Sequence, residues 1–160
     1  MKPLARLGPL LVYWNGTDIR YLVLWQQGFR LTRDLAVDSR SGWAYVTAWN
    51  GHPSQVAVVD KDKIIAALTV GEDPYAVAID ETHDYVYVAN RLSGSLSVIR
   101  GTEVITTMST EGWGPSYITV DEARGYIYVS NADSHSVAVF GFSETAQSSL
   151  WQRFLPFIRQ

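Results

Sequence analysis

The sequence predicts an all-β protein: a partial β-propeller of four-stranded antiparallel blades, followed by a short amphipathic C-terminal helix or tail. Three observations predict it. Residues 74–99, PYAVAIDETHDYVYVANRLSGSLSVI, return as residues 115–140, PSYITVDEARGYIYVSNADSHSVAVF. A more divergent copy, residues 32–59, precedes both, and it keeps Asp38 and Tyr45 in register with Asp80 and Tyr87 and with Asp121 and Tyr128. Each copy is a string of short apolar strands punctuated by turn residues. A period near forty residues built this way marks a stack of identical supersecondary units.

Each unit opens with an alternating strand, at 35–38, 76–80 and 118–121. A tight turn follows, with Gly42, Asp84 or Gly125 where a left-handed residue is needed. The second strand is apolar at successive positions, as in Tyr85, Val86, Tyr87 and Val88, so it is buried on both faces. A polar loop leads to a third strand at 55–59, 95–99 and 136–140, and a short turn to a fourth at 64–70 and 104–110. A link rich in Gly and Pro, at 71–74 and 112–115, starts the next unit. Four antiparallel strands per period with both sheet faces covered describe a propeller blade.

The apolar N-terminal stretch fits the same register. Residues 10–14 match a third strand, Asn15, Gly16 and Thr17 a hairpin turn, and residues 19–25 a fourth strand. This reading is preferred to a secretory leader, because Pro9 interrupts the apolar run and no small-residue cleavage site follows. The predicted organisation is a propeller unit over 1–141, with a half blade at 10–28, blades at 29–73 and 74–114 and a partial blade at 115–141. A tail follows at 142–160. About thirteen strands result, against about sixteen for a four-bladed ring.

In the tail, Ser148 or Ser149 caps a short helix carrying Leu150, Trp151, Phe154 and Leu155, which Pro156 ends. The tail is expected to fold back over an exposed blade face or edge. The alternative is an anchor for a membrane interface or a partner.

Composition narrows the function classes. The chain has 160 residues, 47% hydrophobic, with a formal net charge of −3 and no run of basic residues. A general nucleic-acid binder needs a basic stripe and is excluded. No apolar run reaches the ~20 residues of a membrane-spanning helix. There is no cysteine, which removes disulfides, thiolate metal sites and cysteine nucleophiles. The compartment is left open.

The motifs Tyr87-Val88-Ala89-Asn90 and Tyr128-Val129-Ser130-Asn131 carry a resemblance, together with the spacings Pro74 to Asp80 and Pro115 to Asp121 and the Gly-x-x-Pro links. They resemble the YVTN-type β-propeller repeat. The first copy departs from it, with Ala48 where Asn is expected and Thr32 where Pro is expected. The resemblance implies a ring that is commonly seven-bladed, often exported, and used for binding or surface roles. Related propellers include lactonases, streptogramin lyases and quinoprotein subunits. An open array would leave apolar blade faces in water, and a few hundred Å2 at ~25 cal/mol per Å2 amounts to several kcal/mol. The chain is therefore expected to complete its ring by self-association or with a protein partner.

Loops after the second and fourth strands share one rim, the default ligand site. That rim gathers Trp49, His52, Arg91, Trp113, Asp133 and His135, which suit a small-molecule or carbohydrate ligand. Ordinary loop roles, with Trp113 packed between blades, are the structural alternative. Asn90 and Asn131 are read as turn residues that bond the local backbone, and Asp80 and Asp121 as turn caps on the opposite rim. The three histidines share no ligand spacing, so no metal and no cofactor is assigned. The leading function is a non-catalytic binding or scaffold module. The alternative is a lactonase- or lyase-like enzyme with its site on the same rim.

Overall fold

The computed structural model describes residues 10–14, 19–142 and 154–158. β1 (Leu10–Trp14) and β2 (Ile19–Val23) form an antiparallel pair, followed by a 3-10 turn at Leu24–Gln27. Three four-stranded sheets follow. The first contains β3 (Leu31–Val37), β4 (Trp43–Trp49), β5 (Gln55–Asp60) and β6 (Lys63–Thr69). The second contains β7 (Pro74–Asp80), β8 (Tyr85–Asn90), β9 (Ser95–Arg100) and β10 (Glu103–Ser109). The third contains β11 (Pro115–Asp121), β12 (Tyr126–Asn131), β13 (Ser136–Phe142) and β14 (Phe154–Ile158).

Every neighbouring pair is antiparallel, and each sheet keeps chain order from first to fourth strand. The first strands of successive sheets, β3, β7 and β11, pack against one another, while β6 and β10 scarcely touch. Sheets that converge on their first strands and splay at their fourth are propeller blades.

Three apolar layers lie between blades. Leu24 and Phe29 cover Ala44, Val46 and Ala57 of the first sheet. Tyr45, Val56 and Val58 meet Val77, Val86 and Val88 across the next junction. Tyr87, Leu96 and Val98 meet Ile127, Val129 and Phe140 across the last. The all-buried β8 serves two layers at once, Val86 and Val88 facing one neighbour and Tyr85, Tyr87 and Ala89 the other. That is why its sequence is apolar without alternation.

Turn chemistry follows the expected positions. Gly42, Asp84 and Gly125 have φ of 73°, 62° and 68°. Each preceding aspartate ties down its turn. Asp38 accepts from Ser41 Oγ at 2.6 Å, Asp80 from His83 N at 3.0 Å, and Asp121 from Arg124 Nη1 at 2.8 Å. The Arg124 hydrogen bond holds the Asp121 carboxyl below the usual carboxylate range.

Two expectations need correction. The helix expected to hold Phe154 and Leu155 is replaced by β14, with Pro156 opposite Phe140 and Leu155 opposite Gly141. The outer edge of β13 offers unpaired backbone groups, and pairing them outweighs the weak local preference of one short helix. Proline is tolerated there because β14 is an edge strand. The third sheet thus has four strands rather than three. Ser148, Ser149, Leu150 and Trp151 lie outside the described residues, as do the turn expected at 15–17 and residues 1–9.

The second correction concerns the asparagines. Asn90 is fully buried, and its Nδ2 donates to Ser95 Oγ at 3.1 Å and Ser97 Oγ at 2.9 Å. It therefore ties β8 to side chains of β9 instead of bonding the local backbone. Above it lies the bare α-carbon of Gly71, where an added Cβ would sit 2.5 Å from Ser93 Oγ and 2.7 Å from Asn90 Cγ.

Gly71→Ala is expected to lower stability by about 1–3 kcal/mol, the usual cost of overpacking, read as a fall in the urea midpoint at unchanged slope. An unchanged midpoint would mean that the linker is not pressed onto Asn90. Tyr45 gives a second test. Burial pushes its hydroxyl up from 10.0 to about 12, with Asp38 and Asp84 adding to the effect. The unfolded chain loses that proton more readily than the fold does, so stability is complete below pH 10 and drains away as pH rises toward about 12. In Tyr45→Phe, which also loses the bond to the Gly101 carbonyl at 3.1 Å, this alkaline loss should be smaller. An identical pH profile would contradict the assignment.

Candidate functional site

The rim bearing the second-to-third and fourth-to-first loops is built on a repeated β-bulge. Register slips between Thr32 and Leu35, between Pro74 and Ala76, and between Pro115 and Tyr117. The extra residues are Arg33 with Asp34, then Tyr75, then Ser116, at equivalent places on three neighbouring inner strands. A bulge turns a side chain out of the ladder, and bulges commonly flank sites.

Here the bulges gather charge around one ring. The Arg33 guanidinium carbon lies 5.2 Å from the Tyr75 ring centroid and that of Arg91 lies 5.4 Å from it, both within cation–π range. Arg33 pairs with the buried Asp73 at 3.6 Å, and Arg91 pairs with Asp133 at 3.5 Å. Charge-assisted hydrogen bonds are shorter, about 2.7–2.9 Å. At the observed lengths the carboxylates balance the charge without saturating the five N–H donors of each guanidinium. The Arg33 and Arg91 side chains keep 34% and 39% of their surface in solvent, so those donors can reach a ligand.

Asp34 fixes the inner strands beside this cluster. Its Oδ2 accepts from Val77 N at 3.0 Å, its Oδ1 from Leu35 N at 2.9 Å, and its own amide donates to Thr47 Oγ1 at 2.9 Å. A bulge residue of one blade thus pins the inner strand of the next.

Of the residues expected on the rim, Arg91 and Asp133 are brought together. His52 and Glu72 form a separate exposed pair at 3.9 Å. Trp113 is 72% exposed, so it does not pack between blades; it occupies the linker position held by Glu72 one blade earlier. It borders a shallow depression of about 270 Å3 with Ser93, Gly94, Glu111 and Gly112. Trp49 is half-buried at the end of β4. His135 is exposed at φ 52°, the turn position that Gly94 fills one blade earlier at φ 58°. Arg33, Asp73 and Tyr75 were missed as site residues. Aligning the three repeats at the bulge would have placed Arg33 beside Tyr75.

On the opposite rim a cleft of about 210 Å3 between the first two full blades is lined by Asp38, Trp43, Tyr45, Asp80, Glu81 and Asp84. Its acidic groups are already engaged. Ser39 N donates to Glu81 Oε1 at 3.2 Å, Arg100 pairs with Asp84 at 3.4 Å, and His83 Nδ1 meets Asp80 Oδ2 at 2.8 Å. No group of three or more potential metal ligands occurs among the described residues. No helix among them is long and apolar enough to cross a membrane.

Residues 46–152, more than half of the chain, match the family described as lactonase, 7-bladed beta-propeller. Among solved structures, a candidate 6-phosphogluconolactonase from Bacteroides uniformis aligns with TM-score 0.59 at 15% identity, over 78% of this chain and 39% of that one. A candidate 6-phosphogluconolactonase from Bacteroides fragilis gives TM-score 0.57 at 14% identity, over 81% and 41%. A chain of a nidogen–laminin complex gives TM-score 0.59 at 14% identity, over 90% and 52%. At these identities the likeness shows the propeller fold, and the chain spans about two fifths to one half of the length of these structures. No curated protein sequence matches the chain.

Proposed function

We propose, from the premise that the chain belongs to the seven-bladed β-propeller lactonase family, that it supplies the anion-holding sector of a lactone-hydrolysing rim. The family match favours the enzyme alternative over the non-catalytic module that the sequence alone put first. The observation that carries the reading is the placement of two guanidiniums on one tyrosine ring, beside the inner strands. Such a cluster suits a small hydroxylated acid bearing a phosphate or carboxylate. Arg33 and Arg91 would hold that anion by charge-assisted hydrogen bonds, and Tyr75 would keep the guanidiniums parted and oriented. In the reaction, water adds to the lactone carbonyl, the ring C–O bond breaks and a hydroxy acid is released. Within the family, the Tyr-Val-x-Asn segments are read as the YVTN-type variant of the repeat. On this reading, further blades close the wall opposite Tyr75.

Binding tests the reading without needing turnover. Titrated by calorimetry into the whole chain, 6-phosphogluconate should bind at least tenfold tighter than gluconate. Arg91→Gln should remove most of that preference, because a hydrogen bond to a charged group contributes about 1.5–3 kcal/mol. Equal affinity for the two acids, or a preference untouched by Arg91→Gln and by Arg33→Gln, would overturn it.

A further inference from the structure

The linker from the second sheet to the third is one residue longer than the linker before it. Thr69 and Ser109 end the fourth strands at equivalent places, opposite Gln55 and Ser95. Val70 and Thr110 also correspond, because their amides donate to the carbonyls of Ser54 and Gly94. Gly71 and Gly112 correspond in turn, pressed on Asn90 and Asn131. Gly71 follows Val70 directly, whereas Glu111 stands between Thr110 and Gly112. Glu111 is therefore the inserted residue. It takes a left-handed φ of 52°, a conformation that residues other than glycine adopt rarely and that calls for an explanation.

The insertion is tied down. Thr110 Oγ1 lies 3.0 Å from the Gly94 carbonyl and 3.2 Å from the Gly112 carbonyl, and Glu111 N donates to Ser109 Oγ at 3.0 Å. Trp113 is fixed at its base by the bond of its amide to Ser134 Oγ and of its carbonyl to the Asp133 amide. Ser93, Ser109, Glu111 and Trp113 thereby line the depression of about 270 Å3 at this internal junction of two blades. One junction earlier, Glu72 stands in the place of Trp113 and pairs with His52. Here the indole is 72% exposed. Neither it nor the Glu111 carboxylate has a ring, ion-pair or hydrogen-bond partner among the described residues.

We infer that this depression seats one neutral sugar ring of an oligosaccharide. A pyranose has a C–H face that stacks on an aromatic ring, and an edge of hydroxyls. The indole supplies the apolar platform and its N–H a polar handle. The Glu111 carboxylate accepts from neighbouring sugar hydroxyls by charge-assisted bonds. The Ser109 oxygen already accepts from Glu111 N, so its proton is left to donate. The same carboxylate repels a phosphate or a sugar acid, a preference opposite to that of the Arg33 and Arg91 cluster. Tight capture of a cationic amine uses a cage of several rings, whereas Trp113 is the one aromatic residue lining this site. Pockets that enclose a whole drug-sized ligand measure about 300–1,000 Å3. The depression is smaller, so one ring is seated and the rest of the saccharide runs into solvent. The inference does not rest on the lactone chemistry.

The test titrates methyl glucoside, methyl galactoside and methyl mannoside separately into the isotope-labelled whole chain. The signal followed by NMR is the Trp113 indole N–H, identified by its loss in Trp113→Ala. At least one of the three sugars should shift it saturably, with a dissociation constant in the millimolar range. Glu111→Gln should weaken that binding several-fold. Both side chains are exposed, so neither variant disturbs the core. Gluconate and tetramethylammonium, the anionic and cationic probes, should each bind more weakly than the best sugar. No saturable shift from any of the three sugars would overturn the inference. So would undiminished binding in Glu111→Gln, or tighter binding of gluconate or tetramethylammonium. The methyl glycosides carry no anion, so failure here and failure of the phosphate preference are distinguishable.

Discussion

The amides of Arg91 and Leu92 donate to the carbonyls of Asp73 and Glu72 at 2.8 and 3.1 Å. One blade later the amides of Ala132 and Asp133 do the same to Gly114 and Trp113 at 2.9 and 3.1 Å. The linker that enters a blade is thus laid against that blade's own second-to-third turn, and the arrangement repeats. Side chains reinforce it, since Ser93 Oγ accepts from Glu72 N at 3.0 Å and Ser134 Oγ from Trp113 N at 3.0 Å. Each such bond contributes about 0.5–1.5 kcal/mol net. Their larger effect is positional, because they hold Asp73, Tyr75 and Arg91 in one place.

That constraint explains the sequence economy of the junction. Glycine is needed at 71 and 112 because the linker presses on the buried Asn90 and Asn131 amides. Asp73 takes a left-handed φ of 53° and directs its carboxylate toward Arg33. A rim that would otherwise be a set of mobile loops becomes a frame tied into the strands, and a fixed frame is what a binding constellation requires.

Much of the fold was legible because it repeats. The tandem Tyr-Val-x-Asn segments, the left-handed turn positions and the apolar second strands all follow from period and turn chemistry. The last strand was not legible, since Phe154–Ile158 does not alternate and carries Pro156, and only the open edge of β13 makes it a strand. The site was read in part. Arg91 and Asp133 were visible as rim residues, but their meeting depends on two turns in successive blades. Arg33 and Tyr75 were hidden because a bulge breaks the alternation that assigns side chains to faces. Trp113 was placed on the rim with packing between blades as the alternative, and its linker position leaves it exposed.

Native-state hydrogen exchange at the linker contacts tests the central claim most directly. If docked linkers hold the rim, the amides of Arg91, Leu92, Ala132 and Asp133 should be protected to within about tenfold of the adjacent strand amides of Val88 and Val129, because they would open with the same cooperative unit. Exchange of these four amides at the rate of free loops, while Val88 and Val129 stay protected, would contradict the account.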